Sequence, residues 1–203
     1  MIERFLTLLD LARGRTPDSE ASSSRTLQLA AAALLMALGF GALWGLAAGS
    51  SSWPQALSNL WKVPMVVLFS ALTAIPGGLL TWKLAGAPGR PADLLAQFAA
   101  SIFAGTLVMA VLAPLVALYY HSSSFAGPVL ALGSTCVALL VAVSVFIRGA
   151  FRSVSSERQA LILPVFVFVA LHLGSMLQLI ALASPILPEV TVFDAGVDGL
   201  VSP

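Results

Sequence analysis

The chain has 203 residues, of which 59% are hydrophobic and 9% charged, and its net charge is +1 at pH 7. A soluble domain carries roughly 25% charged residues, so this composition excludes a soluble fold and reads as an integral membrane protein, with a mean hydropathy of +0.97. The near-neutral charge excludes a basic nucleic-acid footprint, and the single cysteine, Cys136, excludes an internal disulfide and a cysteine-based zinc site.

The N-terminal stretch MIERFLTLLDLARGR places Ile2, Phe5, Leu6, Leu8, Leu9 and Ala12 at near-helical spacing. Glu3, Arg4, Thr7 and Asp10 fall largely on the other side. This pattern predicts an amphipathic helix in the membrane interface, where it anchors to the lipid surface or docks a partner; the anchor is the preferred reading. TPDSEASSSR reads as a flexible linker. No hydrophobic signal-peptide core precedes the first apolar span, so that span reads as a retained anchor.

Five stretches are long enough to cross a hydrocarbon core, which needs roughly 20 apolar residues per helix. They cover about residues 27–49, 63–84, 94–120, 125–147 and 161–186. Each is continuously apolar rather than alternating, which selects helices over barrel strands. The expected fold class is an all-α five-helix transmembrane bundle with an N-terminal interfacial helix. Its expected parts are residues 1–26 (helix and linker), 27–186 (five spans) and 187–203 (an acidic tail).

Span one carries small residues at every fourth position: Ala33, Ala37, Gly41, Gly45 and Gly49. Such a stripe lets a second backbone approach closely, which in lipid is a main source of helix association. The partner is either another span of this chain or another subunit. Trp61 and Lys62 mark the entrance of span two, and Trp82 and Lys83 its exit, as suits interfacial aromatic rings and snorkelling lysines. Within that span Pro76 precedes Gly77 and Gly78, which predicts a kink or a local break. Broken helices occur at transporter binding sites and also as inert kinks.

Pro114 in span three reads like Pro76 with less force, and Tyr119, Tyr120 and His121 close that span. Pro128 and Pro164 are expected at helix starts, where proline costs little. Cys136 in span four is expected to be a small buried residue. Span five holds the one titratable side chain well inside a span, His172, with Ser175, Met176 and Gln178 following. An intramembrane ionisable group is a functional candidate, and a His–Met pair at i, i+4 suits a soft metal or haem. The preferred reading is a neutral histidine hydrogen-bonded to another helix, with Gln178 also bonding between helices.

The basic residues fall unevenly between alternate loops. Arg4, Arg13, Arg15, Arg25, Lys83, Arg90, Arg148, Arg152 and Arg158 lie on one side and Lys62 alone on the other. The positive-inside rule then predicts a cytoplasmic N-terminus and a periplasmic C-terminus. No HExxH, GxSxG, P-loop or dinucleotide fingerprint is present, so no enzymatic activity, cofactor or metal is expected.

LWKVPMVVLFSALTAIPGGLLTWKLAG resembles a segment of a family of small bacterial polytopic membrane proteins. There a Lys-Val-Pro opens a span that carries a Thr and then a Pro, here Lys62, Val63, Pro64, Thr73 and Pro76, and the next span holds a proline matching Pro114. An aromatic and an Arg-Pro pair after the family's last span are replaced here by Ala183, Ser184 and Pro185. The five-span layout is similar to that of the Yip1 family. Both resemblances imply a polytopic helical fold and carry no catalytic residues. Ala, Leu and Gly richness points to a bacterial inner membrane. The leading expectation is a non-enzymatic subunit that packs in or anchors a larger complex, in contact with lipid and with other subunits or copies of itself. The alternative is a transport or channel component with a cavity near the Pro76-Gly77-Gly78 break and His172.

Overall fold

A computed structural model describes residues 2–13, 22–123, 125–152, 158–184 and 186. Its six helices are α1 (Ile2–Ala12), α2 (Ser23–Ala48), α3 (Trp53–Leu84), α4 (Pro91–Ser122), α5 (Ala126–Arg152) and α6 (Arg158–Ala183). All but α1 are long and apolar enough to cross a membrane. The chain is thus an all-α, multi-pass membrane protein in contact with the lipid bilayer. The expected acidic tail, residues 187–203, and most of the linker lie outside the described residues.

The helices outrun their apolar stretches. At 1.5 Å per residue, a helix as long as α3 or α4 extends about 48 Å, well beyond a hydrocarbon core of about 30 Å. The segment Trp53–Lys62, expected as a loop, forms the first turns of α3 with proline in its opening turn, where a missing N–H is harmless. Between α3 and α4, Gly86 (φ 59°) and Gly89 (φ 91°) supply the left-handed conformations of the connecting turn. Arg90 then forms a two-pronged ion pair with Asp93, Nε–Oδ2 and Nη2–Oδ1 both 2.9 Å, at the start of α4.

The spans pack in the order α6–α3–α2–α4–α5. The ring is barely closed, because α5 and α6 share only a short contact. There Phe146 and Phe168 lie 5.6 Å apart, and Phe98 of α4 touches both, at 5.4 and 4.9 Å. These rings form the centre of the main apolar core with Ala37, Ala71 and Ala74. Trp82, Ala87, Phe151 and Leu161 gather at the end that carries most of the basic residues, termed the basic end below.

Part of the apolar face of α1 is buried in the bundle, while Leu6 stays exposed. Leu8 and Leu11 are buried among Ala30 and Ala33 of α2 and Ala96, Ala99, Ala100 and Phe103 of α4. Phe5 meets Phe103 edge-on at 5.7 Å. Arg152 at the end of α5 donates to the carbonyl of Arg13 at 3.1 Å and ties the helix to the bundle. Small side chains on α2 and α4 create the groove that the leucines fill.

α3 runs as helix through both Pro64 and Pro76, so of the kink or local break expected at Pro76 the break does not occur. An interior proline removes one backbone bond and crowds the preceding turn, which neighbouring helices make tolerable in a membrane span. Pro164, expected at a helix start, lies inside α6, which begins six residues earlier. Cys136, expected to be buried, is exposed. The inward face of α5 is set by Ala131, Ser134 and Ala138, and position 136 points away from it.

Candidate ligand cavity between the last two spans

The stripe of span one lies against this chain's own helices. Ala33 packs in the cluster shared with α1 and α4, and Ala37 in the main core. Gly41, Gly45 and Gly49 face the first half of α3. A Cβ on Gly45 would lie 2.5 Å from the Asn59 carbonyl oxygen, and one on Gly49 would lie 2.6 Å from the Ala56 nitrogen. Gly41 is less confined, with Val63 Cγ1 at 3.7 Å from such a Cβ. The glycine half of the stripe is therefore the seam between α2 and α3, tightest towards the end away from the basic residues.

Gly77 and Gly78 are also a packing surface. A side chain at Gly77 would collide with Leu171, and one at Gly78 with the ring of Phe168. The glycine pair lets α6 seat on α3 beside Pro76.

His172 sits one turn beyond Phe168. Its ring meets Phe98 edge-on at 5.4 Å, an 88° interplanar angle. The ring lies beside the backbone of Ser70 on α3. Nδ1 is buried and has no hydrogen-bond partner among the described residues. Ser175 and Met176 are half-buried, whereas Gln178 is exposed. Among the described residues Gln178 makes no hydrogen bond to another helix. Six residues turn a helix by about 600°, so Gln178 cannot share the face of His172. Among the described residues no three of His, Cys, Asp and Glu group as metal ligands.

Above the phenylalanine cluster, where α5 and α6 part, lies a cavity of about 170 Å³. His172, Met176 and Ile180 form its α6 wall, and Leu132, Thr135, Leu139 and Ala142 its α5 wall. Ile102, Thr106 and Met109 of α4 and Val63, Val66 and Val67 of α3 form the back. Pro76, Gly77 and Gly78 do not line it. The Thr106 hydroxyl donates to the carbonyls of Ile102 and Phe103, and that of Thr135 to Ala131, so their hydrogens are bound within their own helices. The wall is consequently almost wholly apolar. Leu132 lines it and is itself exposed, on the side where α5 and α6 have little contact, so the mouth opens sideways between these two helices.

The far end is closed by a clamp that the sequence reading missed. Beyond α6 the Ile186 carbonyl accepts from Asn59 Nδ2 at 2.6 Å and Gln55 Nε2 at 3.1 Å. Ile186 thereby becomes part of the cavity lining. A usable signal was present, since two amides at i, i+4 share a helical face, but it required Trp53–Lys62 to be read as helix. Trp44 and Ser134 were also missed. The indole Nε1–H donates to Ser134 Oγ at 3.0 Å beside the cavity. Gln97 of α4 is buried against Gly149 of α5, with both amide atoms unpartnered among the described residues.

Compared with protein-family models, curated proteins and solved structures, the chain matches none. No family is assigned, and the class stands on the five long apolar helices: a polytopic membrane protein.

Proposed function

We propose that this chain is a non-enzymatic membrane component that takes an apolar, membrane-soluble molecule from the bilayer into the α5–α6 cavity, in a binding or transport role. The observation that carries this reading is the sideways opening of an apolar cavity between two spans that part above Phe146 and Phe168. Small-molecule sites are mostly apolar concavities with a few polar groups, often between the helices of a bundle. Here the polar group is His172. The absence of carboxylates from the described parts of the lining argues against proton coupling.

The other reading is a subunit that anchors a larger complex. It drew on the stripe of span one, which packs against α1, α3 and α4 of this chain, so the cavity carries the conclusion. The proposal includes a bacterial inner membrane, with the basic end in the cytoplasm, on the nine-to-one distribution of basic residues.

The test is retention. Wild-type protein and Thr135→Phe, which puts a ring into the cavity, are extracted in mild detergent and their apolar contents compared by mass spectrometry. The reading predicts one class of molecule held by the wild type and lost from the variant. Identical contents in both would remove it.

A further inference from the structure

The geometry points to an occupant that is a neutral, hydroxyl-bearing apolar molecule of about the size of a phenol, bound with its hydroxyl at His172. This rests on the cavity reading above and narrows it to a chemical class.

Size is the first argument. An apolar cavity of about 150 Å³ holds a benzene-sized guest, and this one measures about 170 Å³. It admits a six-membered ring or a chain segment of similar bulk, and no complete phospholipid. Charge is the second. Among the described residues no Asp, Glu, Lys or Arg lines the cavity, so a charged group brought here would be desolvated without a counter-ion among them. A phospholipid headgroup is also held at the membrane surface, whereas His172 lies near the middle of α6. The occupant is therefore a neutral solute of the hydrocarbon layer.

Hydrogen bonding is the third argument. The Thr106 and Thr135 hydroxyl hydrogens are bound to carbonyls of their own helices, which leaves only acceptor lone pairs towards the cavity. His172 borders the same space and carries a buried Nδ1 with no partner among the described residues. An orphaned polar atom beside an apolar cavity costs free energy unless something fills it. A hydroxyl serves either imidazole tautomer, because it both donates and accepts, and its hydrogen also suits the threonine lone pairs. A hydrocarbon would fill the space and leave these groups unsatisfied.

The experiment uses full-length protein in lipid nanodiscs with Trp53→Phe, Trp61→Phe and Trp82→Phe, so that Trp44 in the cavity wall is the sole tryptophan. Its fluorescence is quenched by 4-bromophenol or by bromobenzene, each plotted against its mole fraction in the bilayer. Quenching that survives Thr135→Phe is subtracted as non-cavity contact. Half-quenching should require about three- to tenfold less bromophenol than bromobenzene, the span of one hydrogen bond. In His172→Phe, which retains an aromatic ring against Phe98, the two should converge. Equal quenching by both in the parent protein would overturn the hydroxyl assignment and leave the cavity reading standing. No cavity-dependent quenching by either would overturn both. The parent comparison needs no His172 variant, so the test survives if that variant fails to fold.

Discussion

Trp44 Nε1–H donates to Ser134 Oγ at 3.0 Å and joins α2 to α5, which lie on opposite sides of α4. Ser134 in turn donates to the Ala131 carbonyl at 2.8 Å, so the serine oxygen both receives and passes on a bond. Both residues are buried. Ser134→Ala removes the acceptor and leaves the indole N–H unpaired. It should destabilise the protein by about 1–3 kcal/mol, the cost of an unsatisfied buried donor. Thermal unfolding in detergent, followed by tryptophan emission, reads this out; an unchanged midpoint would mean that the indole finds another acceptor.

The glycine seam predicts a graded response. Gly41→Ala should leave abundance in the membrane nearly unchanged, because its new Cβ meets Val63 at ordinary contact distance. Gly45→Ala drives a Cβ against the Asn59 carbonyl and should cost about 1–3 kcal/mol, the usual range for overpacking. Gly39→Ala is the control, with nothing within 4 Å of its Cβ. A membrane-fraction blot with thermal denaturation separates the three. Equal behaviour of Gly41→Ala and Gly45→Ala would contradict the seam.

How far this was legible in the sequence depends on the length scale of each feature. The five spans follow from continuous apolar runs, a local property that the bilayer enforces. The small-residue stripe was visible because a four-residue repeat defines one helix face. Its partner was not, since nothing local says that Gly45 meets Asn59 rather than another chain. Gly77 and Gly78 were read as part of a kink or local break because glycine after proline weakens a helix, whereas what packs on them is Phe168 and Leu171, some 90 residues away. The cavity depends on where α5 and α6 diverge, a tertiary fact with no sequence period. His172 stood out as a titratable group among apolar residues, but its neighbour Ser70 did not.

The Asn59 clamp gives a further prediction. Asn59→Leu removes the shorter of the two bonds to the Ile186 carbonyl, and Gln55→Leu the longer. Hydrogen exchange at residues 180–186 should rise more in Asn59→Leu than in Gln55→Leu, and most in the double variant. Unchanged exchange in the double variant would show that packing of Ile186, rather than the amide bonds, holds this segment.

Topology is tested separately. A reporter that is active only in the periplasm should be active when fused after Pro203 and silent when fused near Arg90 or Arg152. This follows from the side bearing nine of the ten basic residues. Activity at Arg90 with silence at Pro203 would invert the proposed orientation.

The most direct test of the account asks whether bilayer hydrocarbon reaches the cavity. The protein with Trp44 as its sole tryptophan is placed in vesicles whose phospholipid chains carry bromine at mid-chain, with and without Thr135→Phe. A sideways mouth between α5 and α6 predicts quenching of Trp44 by the brominated chains, although this residue is only 5% exposed, and loss of that quenching when the phenylalanine fills the cavity. Trp44 emission that is the same in brominated and ordinary vesicles would contradict the open cavity and the function proposed from it.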